Sequence, residues 1–327
     1  MLNIKETLNN FQKLKVLIIG DVMLDRYLHG QVERISPEAP VPIVALSKKT
    51  YSAGGAANVA LNVAALGAKP FLLSTIGMDK GGDRLIALLS AANISTKYLQ
   101  RSKNRRTTVK TRVLAQNQQM LRFDEEDNFD LTTATSDLLL HNFTKLLEEI
   151  AIDVILFQDY NKGVLTDLVI REVLFTALKL DIPTVVDPKN KNFFAYKRVT
   201  LFKPNLKEIN DNLPFQSNST LSDLKKAATY LTSQLNNTQT LITLSDKGVF
   251  YSHQQNQNIL PTIPRNIADV CGAGDSVVSI AALGIALKLP IAEIAQLANL
   301  AGGQVCEKVG VVPVSVVQLE QDYLNLK

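Results

Sequence analysis

The run KVLIIG at residues 15–20 decides the fold class, because four consecutive aliphatic residues between a lysine and a glycine are typical of a short strand buried on both faces. Four further runs have the same character: FLLSTIG (71–77), DVILFQ (153–158), PTVVD (183–187) and TLITLS (240–245). Apolar residues recur at helical spacing in the segments between them, near 56–67, 80–92, 133–150, 165–180 and 219–235. This alternation predicts an α/β fold in which crossover helices cover a central, mostly parallel sheet.

Two stretches, residues 28–52 and 105–125, break this alternation. They contain half-polar alternating strands such as TTVKTRVLA and QMLRFD, which are typical of a flap with one face against a ligand. Side chains alternate along a strand, so Lys110 and Arg112 share one face. The length alone is compatible with one or two domains; we expect a single domain over residues 1–327 with these two stretches as a small β-strand lid.

Composition excludes several classes of protein. The net charge is only +4 and the basic residues are scattered, so the sequence lacks the concentrated cationic surface of a nucleic-acid-binding protein. Two cysteines, Cys271 and Cys306, and three histidines provide neither a disulfide framework nor a zinc-ligand spacing, which favours a reducing cytoplasm. Residues 1–15 are polar, without the apolar centre of a secretory signal, so we expect no such signal. The apolar stretch 277–287 ends at Lys288 and Pro290 and is too short to cross a membrane.

The segment DVCGAGDS at residues 269–276 carries the most chemical information, and a helical pattern follows it. Gly272 and Gly274 permit tight backbone geometry, so successive N–H groups at the helix start can converge on an anion, assisted by the helix dipole. Asp275 would repel phosphate but is well placed to take a proton from an attacking hydroxyl. The alternative is an ordinary helix start with a stabilising Asp and no chemistry. The candidate anion hole consists of the backbone of Cys271, Gly272, Ala273 and Gly274.

A family resemblance connects this segment with SAGGAAN at residues 52–58. In order and separation, the two segments resemble the signature regions of the ribokinase, or pfkB-type, carbohydrate-kinase family. Within that family, the following stretches resemble the branch that phosphorylates D-glycero-β-D-manno-heptose 7-phosphate: GDVMLDRY (20–27), RISPEAPVP (34–42), GGAANVA (54–60), DYNKG (159–163) and VDPK (186–189).

The resemblance implies a ribokinase-like three-layer sandwich and a cytoplasmic kinase that requires ATP and Mg²⁺, with a monovalent cation as an open question. The product would be the 1,7-bisphosphate, a precursor for the lipopolysaccharide core. Two alternatives stay open: a kinase of the same family for another sugar, sugar phosphate or nucleoside, and a non-catalytic nucleotide- or sugar-binding regulatory protein.

The resemblance also implies a set of substrate-binding residues. Asp25 would accept hydrogen bonds from sugar hydroxyls, Gly54 and Gly55 would let the backbone approach the sugar, and Asn58 would add a polar contact. Each has an ordinary structural explanation: a loop cap, a tight turn, and the solvent-facing side of a helix. The candidates for holding the phosphate of the substrate are Lys110, Arg112, Arg122 and Lys162, for which the alternative is a solvated basic strand face.

For the nucleotide, the resemblance implies that Lys189 reaches an ATP phosphate beside Asp187, at the carboxyl end of a strand. Asn205 and Glu208 would position Mg²⁺ through water; a capping box at a helix start explains the same pair, and both interpretations can be true. Ser245, Gly248 and Asn299 correspond to adenine- and ribose-side positions, although a turn and a polar helix position would explain them equally well.

Three residues depart from the pattern of the family or of this branch: Cys271, Ser245 and Asn190. None of them removes a catalytic group, so we expect them to affect rate and nucleotide affinity more than the class of reaction. The chain ends at Lys327, so a nucleotidyltransferase domain, which follows the kinase in many relatives, is expected on a separate protein. The unpaired edges of the lid strands favour a homodimer formed through the lid.

Overall fold

A nine-stranded sheet forms the centre of the protein. The computed structural model describes residues 2–116 and 118–326. The strands of this sheet are β1 Lys15–Gly20, β4 Lys69–Gly77, β5 Leu99–Ser102, β8 Val154–Gln158, β9 Thr184–Asp187, β10 Leu201–Phe202, β11 Gln239–Thr243, β12 Val249–His253 and β13 Asn256–Leu260. Their order is β13-β12-β11-β10-β9-β8-β1-β4-β5. All neighbours from β11 to β5 are parallel, and β12 and β13 add an antiparallel hairpin at one edge.

Helices cover both faces of this sheet. They are α1 Ile4–Phe11, α2 Ala56–Ala65, α3 Lys80–Ala91, α4 Thr133–Glu149, α5 Asp167–Lys179, α6 Leu206–Asn212, α7 Leu221–Leu235, α8 Ala273–Ala286, α9 Ile291–Cys306 and α10 Val316–Leu324. Alternate side chains of β1 enter different cores: Val16 and Ile18 pack with α2, α8 and α9, whereas Leu17 and Ile19 pack with α4, α5 and α7. The predicted three-layer α/β sandwich with a mostly parallel central sheet is confirmed.

A separate four-stranded sheet forms the lid. Its strands are β2 Val22–Ile35, β3 Pro42–Gly55, β6 Thr108–Ala115 and β7 Gln118–Glu125, in the order β3-β2-β6-β7. The outer pairs are antiparallel and the central pair β2–β6 is parallel. The lid strands extend beyond the predicted 28–52 towards the core, from Val22 to Gly55, which buries Asp25 where lid and core meet. The assignment of residues 1–327 to one domain stays a prediction.

The parallel strands bring five chain segments to one edge of the large sheet. The strands β1, β8, β9, β10 and β11 all end at this edge because parallel neighbours share a direction. Gly20 ends β1 against β8, and a β-carbon there would lie 1.9 Å from the Gln158 carbonyl oxygen, so only glycine allows this approach. No helix within the described ranges is both long and apolar enough to cross a bilayer.

Candidate active site

Asp275 lies in the first turn of α8 and is buried, with 5% of its surface exposed. The helix starts after Gly272, whose φ of 83° is in the left-handed region that glycine adopts without strain. Three side chains hold the carboxylate. Asn58 Nδ2 donates to Oδ2 at 2.7 Å, while Gln158 Nε2 and the Tyr160 hydroxyl donate to Oδ1 at 3.1 and 2.9 Å.

The electrostatic surroundings of Asp275 suit a proton acceptor. The pKa of its carboxyl group is raised to about 6, chiefly by burial and also by the neighbouring Asp187 carboxylate, while hydrogen bonds from Asn58 and Tyr160 and the nearby Lys203 ammonium act in the opposite direction. At neutral pH the carboxylate is therefore mostly ionised, with a proton affinity close to the working range of a general base.

The amino terminus of α8 offers backbone donors, although fewer than the four residues expected from the sequence. The Cys271 N–H already donates to Asp269 at 3.0 Å and the Ala273 N–H to the Val270 carbonyl at 3.3 Å. Within the described residues no side chain caps α8, and the N–H groups of Gly272 and Gly274 have no protein acceptor. The anion hole predicted over residues 271–274 thus narrows to the two glycine amides.

Space next to Gly274 is open, and its neighbours are charged. A β-carbon built at Gly274 would meet nothing closer than 4.0 Å, where Asp187 Oδ2 and Lys203 Nζ lie. Cys271 does not add charge, because burial raises the pKa of its thiol to about 11 and the group stays neutral. The departure from the family pattern at Cys271 therefore leaves the charge of the helix start unchanged.

On the lid side, Asp25 forms an ion pair with Arg112, with Oδ1 and Nη1 2.5 Å apart. The two side chains are 6% and 13% exposed, so the pair is largely desolvated. The absence of a side chain at Gly54 leaves room for Asp25, since a β-carbon there would lie 2.3 Å from Asp25 Oδ2. Gly55 has a φ of 58° and packs against the Asp21 carbonyl oxygen, so the protein's own packing requires both glycines.

Asn58 faces the site and not the solvent. Asn58 and Asn62 are 1% and 0% exposed, so the alternative that they form the solvent-facing side of α2 is wrong. Asn62 Nδ2 donates to the Asn58 carbonyl at 3.0 Å, and Asn62 Oδ1 accepts from the Val314 N–H and the Ser276 hydroxyl. Asn62 therefore fixes Asn58, which in turn holds Asp275.

The four cations predicted to hold a phosphate differ in their surroundings. Arg122 forms a forked ion pair with Asp124, and Lys162 pairs with Glu126 at 2.8 Å. Lys110 forms no ion pair within the described residues, and its ammonium lies 5.5 Å from the centre of the Tyr160 ring. Burial, together with the nearby Arg122 and Lys162, lowers the pKa of Lys110.

Lys189 and the predicted magnesium residues come together on the nucleotide side. Lys189 forms an ion pair with Glu208, whose other oxygen accepts from the Asn205 N–H at 2.9 Å; Asn205 Oδ1 accepts from the Glu208 N–H at 2.8 Å. The capping box is thus real. Both carboxylate oxygens of Glu208 are engaged by protein groups, so a hard cation beside Asn205 and Glu208 would be held through water. The assignment of this pair to magnesium stays a prediction.

The adenine- and ribose-side candidates make structural contacts. Ser245 and Gly248 form the β11–β12 turn, with φ values of 59° and 96°. Asn299 on α9 donates to the Pro261 carbonyl at 2.8 Å and accepts from the Thr262 hydroxyl at 3.2 Å. Within the described residues no hydrogen bond or ion pair joins these three positions to Asp275, and their assignment to the nucleotide stays a prediction.

Three residues of this site were not predicted from the sequence. Gln158 Nε2 bridges Asp275 and Asp187, at 3.1 Å from each carboxylate. Lys203, only 2% exposed, pairs with Asp187 at 2.9 Å, and Tyr160 donates to Asp275. Their place in the sequence could have identified them, because each lies at or just after the carboxyl end of a parallel strand.

The relationship to known proteins is consistent with this geometry. The family model described as "pfkB family carbohydrate kinase" matches residues 13–316. The chain belongs to the pfkB family of carbohydrate kinases. It is 36% identical over 310 residues to the "Bifunctional protein HldE" of Campylobacter curvus, an alignment that covers 95% of this chain and 65% of that relative. The chain thus spans less than two thirds of that relative's length. As a member of the pfkB family, the chain is a sugar kinase.

Two solved structures share the fold of this chain. Phosphofructokinase-2 from Escherichia coli in complex with potassium superimposes with a TM-score of 0.80 at 21% identity, covering 96% of this chain and 99% of that one. Arabidopsis thaliana ribokinase complexed with ribose and ATP superimposes with a TM-score of 0.71 at 18% identity, covering 94% and 98%. The ribokinase-like architecture expected from the sequence is therefore confirmed.

Proposed function

We propose that this pfkB kinase transfers the γ-phosphoryl group of ATP to the anomeric hydroxyl of D-glycero-β-D-manno-heptose 7-phosphate and yields the 1,7-bisphosphate. The observation that carries the proposal is the Asp275 carboxylate, buried at the amino end of α8 and held by three donors. The motifs at residues 34–42 and 159–163 support the heptose branch. A cytoplasmic location, where ATP is available, is part of the proposal.

Asp275 acts as the general base. A carboxylate offers about four lone-pair positions, and three donors already occupy three of them, which leaves one for the proton of the sugar hydroxyl. As the hydroxyl oxygen forms its bond to the γ-phosphorus, its proton passes to Asp275, and the bond from that phosphorus to the bridging oxygen breaks to release ADP.

Charge on the moving phosphoryl group is stabilised at the start of α8. The N–H groups of Gly272 and Gly274 have no protein acceptor among the described residues, and they lie at the positive end of the helix dipole next to the open space beside Gly274. The Lys203 ammonium, 2.9 Å from Asp187, contributes a fixed positive charge at the same place. The Asp187 partner keeps this ammonium in position.

Lys189, Asn205 and Glu208 hold the nucleotide side. Magnesium, when bound, neutralises charge on the β- and γ-phosphates. Glu208 and Asn205 would hold that ion through water, and Lys189, now paired with Glu208, would reach an ATP phosphate. A requirement for a monovalent cation is tested by comparing turnover in potassium and in a bulky organic cation.

The lid supplies the contacts to the sugar phosphate. Asp25 accepts hydrogen bonds from sugar hydroxyls with Oδ2, the oxygen that Arg112 does not use. Lys110, Arg112, Arg122 and Lys162 form a cationic group along the lid and the adjacent loop. Lys110, which has no acidic partner among the described residues, is the first candidate to receive the phosphate.

We also propose that two copies associate through their lids. The lid exposes several large apolar side chains, and every residue of β7 is exposed. These side chains are Ile35, Val41, Leu46, Met120, Leu121 and Phe123, each between 41% and 60% exposed. Association would cover both this surface and the open strand edges. Light scattering should give a dimer, and a monomer at assay concentration would contradict this part of the proposal.

A substrate panel tests the function. ADP formation is measured with heptose 7-phosphate, hexose phosphates, free sugars and nucleosides, and NMR locates the new phosphate in the product. We expect kcat/KM for the heptose phosphate to exceed that for the others and the new phosphate to lie on the anomeric oxygen. Preference for a nucleoside or a free sugar would assign another member of the family, and ATP binding without turnover on any acceptor would favour a regulatory protein.

A further inference from the structure

Tyr160 contacts three functional groups of the site at once. Its hydroxyl donates to Asp275 at 2.9 Å. The centre of its ring lies 5.5 Å from the Lys110 ammonium of the lid and 5.6 Å from the Lys189 ammonium of the nucleotide side, both within the range of cation–π attraction. One side chain therefore joins the candidate base to a cation on the acceptor side and a cation on the donor side.

The Asp21 carboxylate fixes the backbone around Tyr160. Asp21, which is 1% exposed, accepts hydrogen bonds from the N–H groups of Tyr160, Lys162 and Val164 at 2.9, 3.0 and 3.1 Å. A carboxylate with three backbone donors holds the loop after β8 in one conformation. The backbone is thus fixed, and the direction of the Tyr160 ring depends on the contacts of its own side chain with Asp275, Lys110 and Lys189.

The hydroxyl of Tyr160 acts as a donor and not as a base. Burial raises its pKa well above the usual value, and the Asp275 and Asp187 carboxylates raise it further, so the phenol stays protonated. The charged groups around Asp275 are Asp187 from β9 and Lys203 after β10; the α2 side contributes the neutral Asn58. Tyr160 is the only one of the three donors to Asp275 that also contacts cations of the described chain.

We propose that Tyr160 is a positioning residue that couples the lid to the base: Lys110 settles on its ring when the lid is in place, and the ring then holds its hydroxyl on Asp275. This inference rests on the proposed kinase function. It gives Lys110 a second role beyond contact with a substrate phosphate, since Lys110 affects the base whether or not the acceptor is phosphorylated.

The Tyr160→Phe variant removes the hydroxyl and keeps the ring. We expect kcat to fall about 10- to 100-fold, as the loss of one hydrogen bond to a charged group implies, with KM for the sugar phosphate nearly unchanged. The acidic limb of the kcat/KM profile should move to higher pH because the carboxylate loses a donor. Tyr323→Phe, which removes a 2.7 Å hydrogen bond to Glu293 remote from the site, is the matched control. Unchanged kcat and an unmoved limb, or an equal loss in the control, would refute the role of the hydroxyl.

A lid variant tests the coupling without changing the buried tyrosine. Lys110→Met should lower kcat about threefold to tenfold with an unphosphorylated acceptor, as expected for a lost cation–π contact, while Lys49→Met on the exposed part of β3 should not. Normal kcat with that acceptor would make Lys110 a phosphate ligand only and overturn the coupling. Asp275→Asn separates the two proposals. Normal turnover of Asp275→Asn would reject Asp275 as the base of the kinase. If Asp275→Asn is inactive while Tyr160→Phe and Lys110→Met are fully active, only the coupling through Tyr160 is rejected.

Discussion

Replacing Arg112 with alanine is expected to destabilise the protein as well as weaken substrate binding. Its ion pair with Asp25 is largely desolvated, with 13% and 6% of the two side chains exposed. Removing one partner of such a pair leaves an uncompensated buried charge, which costs about 3–5 kcal/mol. An unfolding entropy of roughly 2.1 cal/mol/K per residue, applied to 327 residues, converts this cost into a decrease in Tm of about 4–7 °C.

Arg122 provides the matched control for this stability effect. It lies directly opposite Arg112 in the β6–β7 register, but its pair with Asp124 is 43% and 24% exposed. An exposed ion pair contributes about 0–1 kcal/mol, so Arg122→Ala should lower Tm by no more than about 2 °C. Thermal unfolding followed by circular dichroism compares the two variants. Equal Tm values would contradict the claim that the desolvated Asp25–Arg112 pair contributes more to stability than the exposed pair of Arg122.

The same two variants test how the lid recognises its substrate. The loss of a bidentate arginine–phosphate contact should raise KM for a phosphorylated sugar about 10- to 100-fold in Arg122→Ala, with little change for the unphosphorylated analogue. Arg112→Ala should raise KM for both acceptors, because the loss of Arg112 also releases Asp25 from its position. A coupled ADP assay measures both constants. Equal effects of Arg122→Ala on the two acceptors would remove the phosphate-anchor role.

Three further predictions concern the helix start, the nucleotide side and pH. Gly274→Ala should lower kcat about 100-fold, because the new methyl group enters the space of the phosphoryl group, and should leave Tm unchanged or slightly raised. The control Gly54→Ala should instead lower Tm, since its β-carbon would lie 2.3 Å from Asp25. Glu208→Gln should raise the Mg²⁺ concentration for half-maximal rate with KM for the sugar unchanged, and an unaltered Mg²⁺ titration would contradict its role. Because burial raises the pKa of Asp275 to about 6, kcat/KM should fall about tenfold per pH unit below 6. Unfolding should not cause this fall in rate. Burial raises the pKa of Asp159 as well as that of Asp275 to about 6, and a group with a raised pKa in the folded state stabilises that state as the pH falls. The circular dichroism spectrum should therefore stay that of the folded protein just below pH 6.

The fold could be predicted where the sequence pattern was long and apolar. Runs such as KVLIIG and DVILFQ enter two cores at once, and burial on both faces leaves few alternatives to a parallel strand. The hairpin β12–β13 was not predicted, because β13 is half-polar and largely solvent-facing at the sheet edge.

The site could be predicted only where a local motif identified it. Asp275 follows two glycines at a helix start, and that local chemistry suffices to suggest an anion hole and a base. The pair of Asp25 and Arg112 joins residues 87 positions apart across two strands, so only the β2–β6 register reveals it. Tyr160 likewise gains its function from three neighbours on three different elements, which a single sequence does not show.

The most direct test of the account is the rate of phosphoryl transfer in a single turnover of Asp275→Asn, measured by rapid quench with saturating ATP and acceptor. We expect the rate to fall about 10²- to 10⁴-fold while ATP binding stays within threefold of the unaltered protein, because the variant loses the proton acceptor and keeps the helix start. A rate close to that of the unaltered protein would show that Asp275 is not the base.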